Sequence, residues 1–158
     1  MDLSLTPPII DGVSEGKLAP VDSINQLIRD NRVADVASPN LALGMRPLEF
    51  TRGASQWRWE SQPAATLNPF GIVQGGYLAI FVDEMMGTAI ASVLEAGEFA
   101  VTAEVKLTYL RALRPGVLSG EARVVRRTRA LAFIEASIVN ERDEVAVTAT
   151  STWAIAKA

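Results

Sequence analysis

The residues whose types and spacing could carry chemistry lie between Asn68 and Asp83. The stretch opens on an Asn-Pro turn and brings Gly75 and Gly76 to the start of a long apolar segment. Asp83 follows Gly76 by seven residues, so the two positions lie only about 20° apart around a helix axis. Free N–H groups at a helix start could stabilise a developing negative charge, and a carboxylate on the same helix face could activate a nucleophile. The alternative for Asp83 is a buried acid satisfied by a backbone N–H.

The composition removes most other chemistries. The chain has 158 residues and a net charge of −3, and it contains neither cysteine nor histidine. It therefore has no thiolate nucleophile, no Ser-His-Asp triad and no metal held by imidazole or thiolate ligands. Acid–base catalysis near neutral pH is left to carboxylates, lysine and tyrosine. The slightly acidic charge gives no electrostatic reason to expect a nucleic-acid partner.

The distribution of apolar residues argues against a membrane protein. The longest apolar segment carries Asp83 and Glu84 near its centre, which predicts a buried helix rather than a membrane span. The first residues show no basic region followed by an apolar run, so no signal peptide is expected. Together with the absence of cysteine, these features favour a cytoplasmic location.

The order of predicted elements indicates one domain over residues 45–158, preceded by an N-terminal arm and a covering helix over residues 1–44. Predicted strands cover 45–51 and 55–62, the central helix covers 76–96 with Gly97 just after its end, and further strands cover 101–111, 117–127, 131–140 and 144–155. One long apolar helix followed by an antiparallel meander is typical of an α+β fold. We expect a sheet of five or six strands wrapped around the helix.

Two strands carry residues of interest. In 55–62, Trp57 and Trp59 alternate with charged residues, and they could line a pocket or, as is commoner, pack in the core. In 101–111, strict alternation predicts that Val101, Ala103, Val105, Leu107 and Tyr109 face one side and Thr102 the other.

From Asn68 onward the sequence resembles hot-dog-fold thioesterases of the 4-hydroxybenzoyl-CoA and phenylacetyl-CoA (PaaI-like) type. The family pattern is an asparagine, five residues, His-Gly-Gly, and a helix aspartate nine residues after the histidine. Asn68, Gln74-Gly75-Gly76 and Asp83 stand at those positions, and Thr102 matches a Ser/Thr early in the next strand. The resemblance covers roughly residues 45–156, with all elements in the family order.

The resemblance implies hydrolysis of an acyl-CoA or aroyl-CoA thioester to the free acid and CoA, with no cofactor and no metal. It implies that the Gly75 N–H polarises the thioester oxygen and that Gly76 contributes to substrate binding. Asp83 is then the base or the nucleophile, reaching across a dimer interface. Asn68 orients the substrate or the attacking water, and Thr102 holds that water. Sites shared in this way imply a homodimer, paired again into a dimer of dimers.

Gln74 departs from the pattern, because the family usually has histidine there. A glutamine side chain can donate and accept hydrogen bonds, but it cannot carry a proton near pH 7. Two functions therefore stay open: a working thioesterase, and an acyl-CoA-binding module with impaired catalysis. A purely structural dimer is a third possibility.

Coenzyme A would bring phosphate groups to the protein. Arg126, Arg127 and Arg129 cluster at one predicted turn and are the candidate phosphate ligands. Solvated turn charges that keep a sheet edge soluble are the alternative interpretation.

Overall fold

A computed structural model describes residues 42–60 and 62–157 of the chain. The predicted arm and covering helix lie outside these ranges except for residues 42–44. Among the described residues, no helix is both long and apolar enough to cross a membrane.

The described residues form six strands and one long helix. In chain order the elements are β1 (Met45–Thr51), β2 (Ala54–Trp59), a 3₁₀ turn (Ala64–Thr66), α1 (Gly75–Ala91), β3 (Glu98–Tyr109), β4 (Leu118–Arg127), β5 (Leu131–Val139) and β6 (Val145–Lys157). The strands make one sheet in the order β1-β2-β4-β5-β6-β3, and every neighbouring pair is antiparallel. The predicted α+β fold, with the sheet around one helix, is confirmed.

The central helix begins one residue earlier and ends five residues earlier than predicted. Its last turn closes at Ser92, where the hydroxyl donates to the Ala89 carbonyl at 2.7 Å and accepts from the Gly53 N–H at 2.6 Å. Serine hydroxyls compete with the backbone for carbonyl groups in this way and favour a helix end. Gly97, predicted just after the helix, instead has φ +77° immediately before β3.

The helix packs against the sheet through a nearly continuous apolar face. Trp57 and Trp59 are almost fully buried, and the Trp59 ring lies 5.8 Å from that of Phe81. Their indole N–H groups donate to Thr88 and to the Leu43 carbonyl. Both tryptophans are therefore core residues, as the commoner interpretation predicted.

A glycine on β4 sets how closely the helix approaches the sheet. A β-carbon at Gly120 would lie 2.2 Å from the Met85 sulfur and 3.2 Å from the Phe81 ring, so a side chain there would displace Met85 from the contact between helix and sheet. Met85 and Phe81 flank Asp83 along α1, so this close contact lies in the part of the helix that carries the aspartate.

The strand that follows the helix departs from the predicted alternation. β3 pairs with β6 through Thr102↔Trp153 and then Glu104↔Thr152, so one extra residue forms a β-bulge. A bulge shifts the direction of the following side chains. Thr102 and Tyr109, an odd number of residues apart, consequently both contact α1. The prediction that they face opposite sides is wrong, because strict alternation assumes an unbroken ladder.

Candidate active site

Asn68 organises the loop that leads into the helix. Its side-chain oxygen accepts the N–H groups of Phe70 at 3.0 Å and Ile72 at 3.1 Å, and its backbone N–H donates to the Ile72 carbonyl. Gly71 supports this tight turn with φ +70°, a conformation that glycine adopts without strain. Because the oxygen is used within the loop, Asn68 can act on a ligand only as a donor, through its amide nitrogen.

Gln74 precedes the first residue of α1 and holds the loop in place through its backbone. Its N–H donates to the Thr66 carbonyl at 2.9 Å, and its carbonyl accepts from Tyr77 at 2.9 Å. Its side chain is exposed and does not cap the helix. The amide is therefore available to a ligand, in either hydrogen-bonding role.

Gly75 and Gly76 leave two backbone N–H groups at the start of α1. Across residues 42–60 and 62–157, neither group donates to a protein acceptor. Gly76 is exposed, and a β-carbon built on it would meet nothing within 4 Å. Free N–H groups at a helix N-terminus form a site for negative charge, which the helix dipole reinforces.

Asp83 and Thr102 meet on the same side of the chain. The Thr102 hydroxyl donates to Asp83 Oδ1 at 2.8 Å, joining α1 to β3. Both residues are exposed. Asp83 is therefore not the buried, backbone-satisfied acid that the alternative interpretation required.

The candidate residues form two groups within one chain. Asn68, Gln74, Gly75 and Gly76 surround the helix start, whereas Asp83 and Thr102 lie two turns further along. Eight residues of α-helix separate Gly75 from Asp83, a rise of about 12 Å. One thioester carbonyl cannot contact both groups of the same chain at hydrogen-bonding distance.

A cavity of about 360 Å³ lies beside the first group. Its walls come from the loop and first turn of α1 and from the segment after β3, and they comprise Ile72, Val73, Gly75, Leu78, Tyr109, Leu110, Arg111, Ala112 and Leu113. The Val73 N–H donates to the Leu113 carbonyl at 2.8 Å, which ties the two walls together. The lining is mostly apolar, as expected of a small-molecule pocket.

The three candidate arginines do not act as one group. Arg126 and Arg129 are exposed, but Arg127 donates a close hydrogen bond to Glu98 and lies 3.7 Å from the Glu95 carboxylate. The Glu95 N–H, donated at 2.8 Å, and the Arg127 guanidinium hold the pKa of the Glu98 carboxyl below its usual range. Arg127 therefore has a structural partner that the sequence did not predict.

Sequence reasoning missed the cavity-lining segment over residues 110–113 and the role of Tyr109. The Tyr109 hydroxyl donates to the Gly75 carbonyl at 2.8 Å, a contact between residues 34 positions apart. One sequence signal pointed toward it, namely an aromatic residue at the end of the strand that also carries Thr102.

The fold and the paired glycines at the helix start define the chain as a hot-dog α+β domain. A family model described as the thioesterase superfamily matches residues 70–147, which include the glycines, Asp83 and Thr102. The match identifies a thioesterase-superfamily domain over these residues, and the resemblance is confirmed at that level. No curated protein sequence matches the chain.

Several solved structures share the fold. A conserved protein from Pseudomonas aeruginosa is 27% identical over 76% of this chain and 94% of its own length, with a TM-score of 0.70. A putative thioesterase related to phenylacetic acid degradation, from Ralstonia eutropha, is 26% identical over 82% and 97%, with a TM-score of 0.69. A Streptococcus mutans protein bound to acetyl-CoA is 23% identical over 72% and 89%, with a TM-score of 0.65.

Proposed function

We propose that this protein hydrolyses an acyl-CoA or aroyl-CoA thioester to the free acid and CoA. The observation that carries the proposal is one helix, α1, with free Gly75 and Gly76 N–H groups at its start and the exposed, Thr102-bound carboxylate of Asp83 two turns later. An oxyanion site and a base or nucleophile are the two components that thioester hydrolysis requires. Superfamily membership and the acetyl-CoA-bound Streptococcus mutans relative support the substrate class.

In the proposed reaction, water supplies the atoms that the products gain, and the chain supplies the proton acceptor and the donors for the oxyanion. Water or Asp83 adds to the thioester carbonyl, whose oxygen takes up negative charge against the Gly75 and Gly76 N–H groups and the Asn68 amide. If water attacks, Asp83 accepts its proton. Collapse of the intermediate breaks the C–S bond and releases CoA as thiolate, which takes up a proton. After attack by water the product is the free acid. After attack by Asp83 it is a mixed anhydride, which a water molecule then hydrolyses to the free acid and the Asp83 carboxyl, with the second proton of that water going to the thiolate. Gln74 and Thr102 orient the water through neutral hydrogen bonds.

Two copies of the chain would complete each site. The carboxylate of one chain lies about 12 Å along its helix from the N–H groups of the same chain, so we pair it with the N–H groups of the partner subunit. β3 is the edge where such pairing would occur, because it is twelve residues long and ends the sheet. It also exposes four apolar side chains along its length: Phe99, Val101, Val105 and Tyr109. Native proteins rarely leave a long apolar edge unpaired.

The phosphates of CoA are assigned to exposed cations near the ends of the sheet. Arg126 and Arg129 remain candidates because each is exposed. Arg127 contributes less in this scheme, since its guanidinium is occupied by Glu98. We leave the further pairing of dimers into a tetramer as a prediction.

The test of function is a thiol-release assay over CoA thioesters with short, medium, long and aromatic acyl groups. We expect release of one thiol and one acid per turnover for at least one class. A neighbouring acid provides the matched control: Glu84→Gln should keep the parental rate, whereas Asp83→Asn should not. Parental turnover in the Asp83→Asn variant would remove Asp83 from the mechanism.

The shared site has its own test in mixed dimers. Asn68→Asp keeps the oxygen that holds the loop but loses the amide donors, and Asp83→Asn loses the carboxylate. Each variant alone should be nearly inactive. If the site is shared, a purified mixed dimer has one intact site and recovers about half of the parental activity. A mixed dimer as inactive as its parents would place both groups in one chain and contradict the sharing.

The second candidate function is a module that binds CoA thioesters without turnover, and Gln74 is the observation that favours it. The exposed glutamine cannot carry a proton near pH 7. Such a module would bind the thioester in calorimetry and release no thiol. In that case Gln74→His should raise hydrolysis sharply, whereas in a working enzyme it should change the rate little. If the protein showed neither binding nor turnover, the remaining interpretation would be a purely structural dimer.

A further inference from the structure

Tyr109 contacts the start of the helix in two ways. Its hydroxyl donates to the Gly75 carbonyl at 2.8 Å. Its ring packs against the α-carbon of the same residue, because a β-carbon built on Gly75 would lie 3.1 Å from both Cζ and the hydroxyl oxygen. A side chain at Gly75 would therefore press against the tyrosine ring. Nothing comparable explains Gly76, which has no neighbour within 4 Å of a built β-carbon.

The hydrogen bond from Tyr109 to the Gly75 carbonyl also affects the Gly76 N–H, because both groups belong to one peptide unit. The Gly75 carbonyl and the Gly76 N–H belong to one planar unit, so holding the oxygen also fixes the direction of the N–H. A hydrogen bond accepted by the carbonyl polarises the same unit and makes its N–H a stronger donor. That N–H has no acceptor among the described residues, and Gly76 is exposed.

The tyrosine ring also forms part of the cavity wall. It lines the cavity together with Gly75, Leu78 and Leu110, and it contacts Gly75 directly. An acyl group entering the cavity from a thioester bound at the helix start would pass along this ring. Its size and position therefore influence how much space the acyl group has.

We propose that Tyr109 is a positioning and specificity residue. Its hydroxyl sets the Gly75–Gly76 peptide so that the Gly76 N–H donates to the thioester oxygen, and its ring limits the acyl groups that the cavity admits. The proposal rests on the thioesterase function proposed above, which supplies the thioester.

The hydroxyl is tested with Tyr109→Phe, which keeps the ring. We expect kcat to fall about tenfold with little change in KM, because a donor aimed at the developing oxyanion acts mainly on the transition state. The Gly76 amide proton should move upfield in an ¹H–¹⁵N spectrum as its peptide loses polarisation. Tyr77→Phe is the matched control, since it removes the other tyrosine hydroxyl of the chain, one residue from Gly76.

The ring is tested with Tyr109→Ala in the acyl-chain series. We expect KM to fall for the bulkiest thioesters relative to the shortest, while kcat falls at least as far as in Tyr109→Phe. A double-mutant cycle gives a readout that needs no substrate. Gly75→Ala should lower the melting temperature in the parent and lower it much less in the Tyr109→Ala background, because the clashing ring is absent.

The outcomes separate the two proposals. Turnover by the parent, together with unchanged kcat and an unchanged Gly76 signal in Tyr109→Phe, would overturn the positioning role and leave the thioesterase function intact. A parental acyl-size profile in Tyr109→Ala would overturn the specificity role. No turnover by the parent on any thioester would refute the proposed function itself. The Gly76 signal and the thermal cycle would then still decide whether Tyr109 holds the helix start.

Discussion

Two carboxylates on neighbouring elements, Asp83 on α1 and Glu98 at the start of β3, are held in opposite ways. Glu98 is almost fully buried and accepts hydrogen bonds from the Glu95 N–H and the Arg127 guanidinium. Asp83 is exposed and accepts one hydrogen bond, from a neutral hydroxyl of Thr102. In the described part of the chain its second oxygen has no partner.

The difference shows what makes a carboxylate available for chemistry. A cation and a backbone N–H neutralise Glu98 and stabilise its charged form, which suits an internal link between β3 and β4. A single neutral donor orients Asp83 without neutralising it and leaves one oxygen for a ligand. The following predictions test this contrast between a structural carboxylate and a reactive one.

The largest effect is expected from Asp83→Asn, which keeps the size of the side chain and an acceptor for Thr102. We expect kcat to fall about 10³-fold, within the usual range for loss of a positioned base. Steady-state thiol release measures the loss, and thermal melting checks that the fold is retained. An equal fall in kcat in the Glu98→Gln variant would contradict the distinction between a reactive Asp83 and a structural Glu98.

A smaller effect is expected when Asp83 loses its partner. Thr102→Val should reduce kcat about tenfold, since an orienting hydrogen bond to a charged group is worth roughly one factor of ten. Thr102→Ser keeps the hydroxyl and should stay near the parental rate. Equal rates for valine and serine would show that the 2.8 Å contact has no role in turnover.

Glu98→Gln should affect stability rather than rate. The neutral amide leaves Arg127 partly buried without its compensating charge, so we expect the melting temperature to fall by several degrees. Turnover of the surviving folded protein should match that of the parent. Glu95→Gln is the control, because that side chain is exposed and its contact with Arg127 is long, at 3.7 Å.

The smallest effect is a pH dependence of stability. The folded pKa of Glu98 lies below its usual value of 4.5, so its contribution is complete above pH 4.5 and is lost as the pH falls through the lower folded value. The melting temperature of the parent should therefore decline below pH 4.5, and less steeply in Glu98→Gln. The Asn140 side chain and Arg111 also lower the pKa of Glu144, so this second carboxylate should cause part of the decline in melting temperature in both proteins. Identical slopes would rule out Glu98 as a linked group.

Local patterns were enough to predict much of this molecule. The apolar periodicity of α1 and the strand spacing indicated the fold, because both depend on neighbours along the chain. The spacing of Asn68, Gln74 and Asp83 indicated a site through its resemblance to the family pattern, and the roles of these residues remain predictions. The proximity of Thr102 to Asp83 followed from the resemblance, and the structure brings the two into contact.

The remaining features depend on contacts between distant residues, which periodicity does not reveal. The helix ends early because a serine hydroxyl bonds to its last turn and to the Gly53 N–H. Arg127 is unavailable as a free cation because Glu98, 29 positions away, approaches it. The contact between Tyr109 and Gly75 could be predicted only if the end of β3 were already known to lie beside the start of α1. Each of these is a tertiary contact that overrides a sound local expectation.

The bulge in β3 determines which side chains of this strand face the helix. In a strand, odd and even positions face opposite ways, and the extra residue at 103 brings Thr102 and Tyr109 onto a common side, where one contacts Asp83 and the other Gly75. If the same seven-residue spacing ran through an unbroken ladder, the two residues would face opposite sides and one of the two contacts would be turned away from the helix. Every side chain of the site would still be present in such a chain. A relative that keeps all the motif residues at this spacing but pairs this strand without the bulge can therefore lose the function without losing the motif.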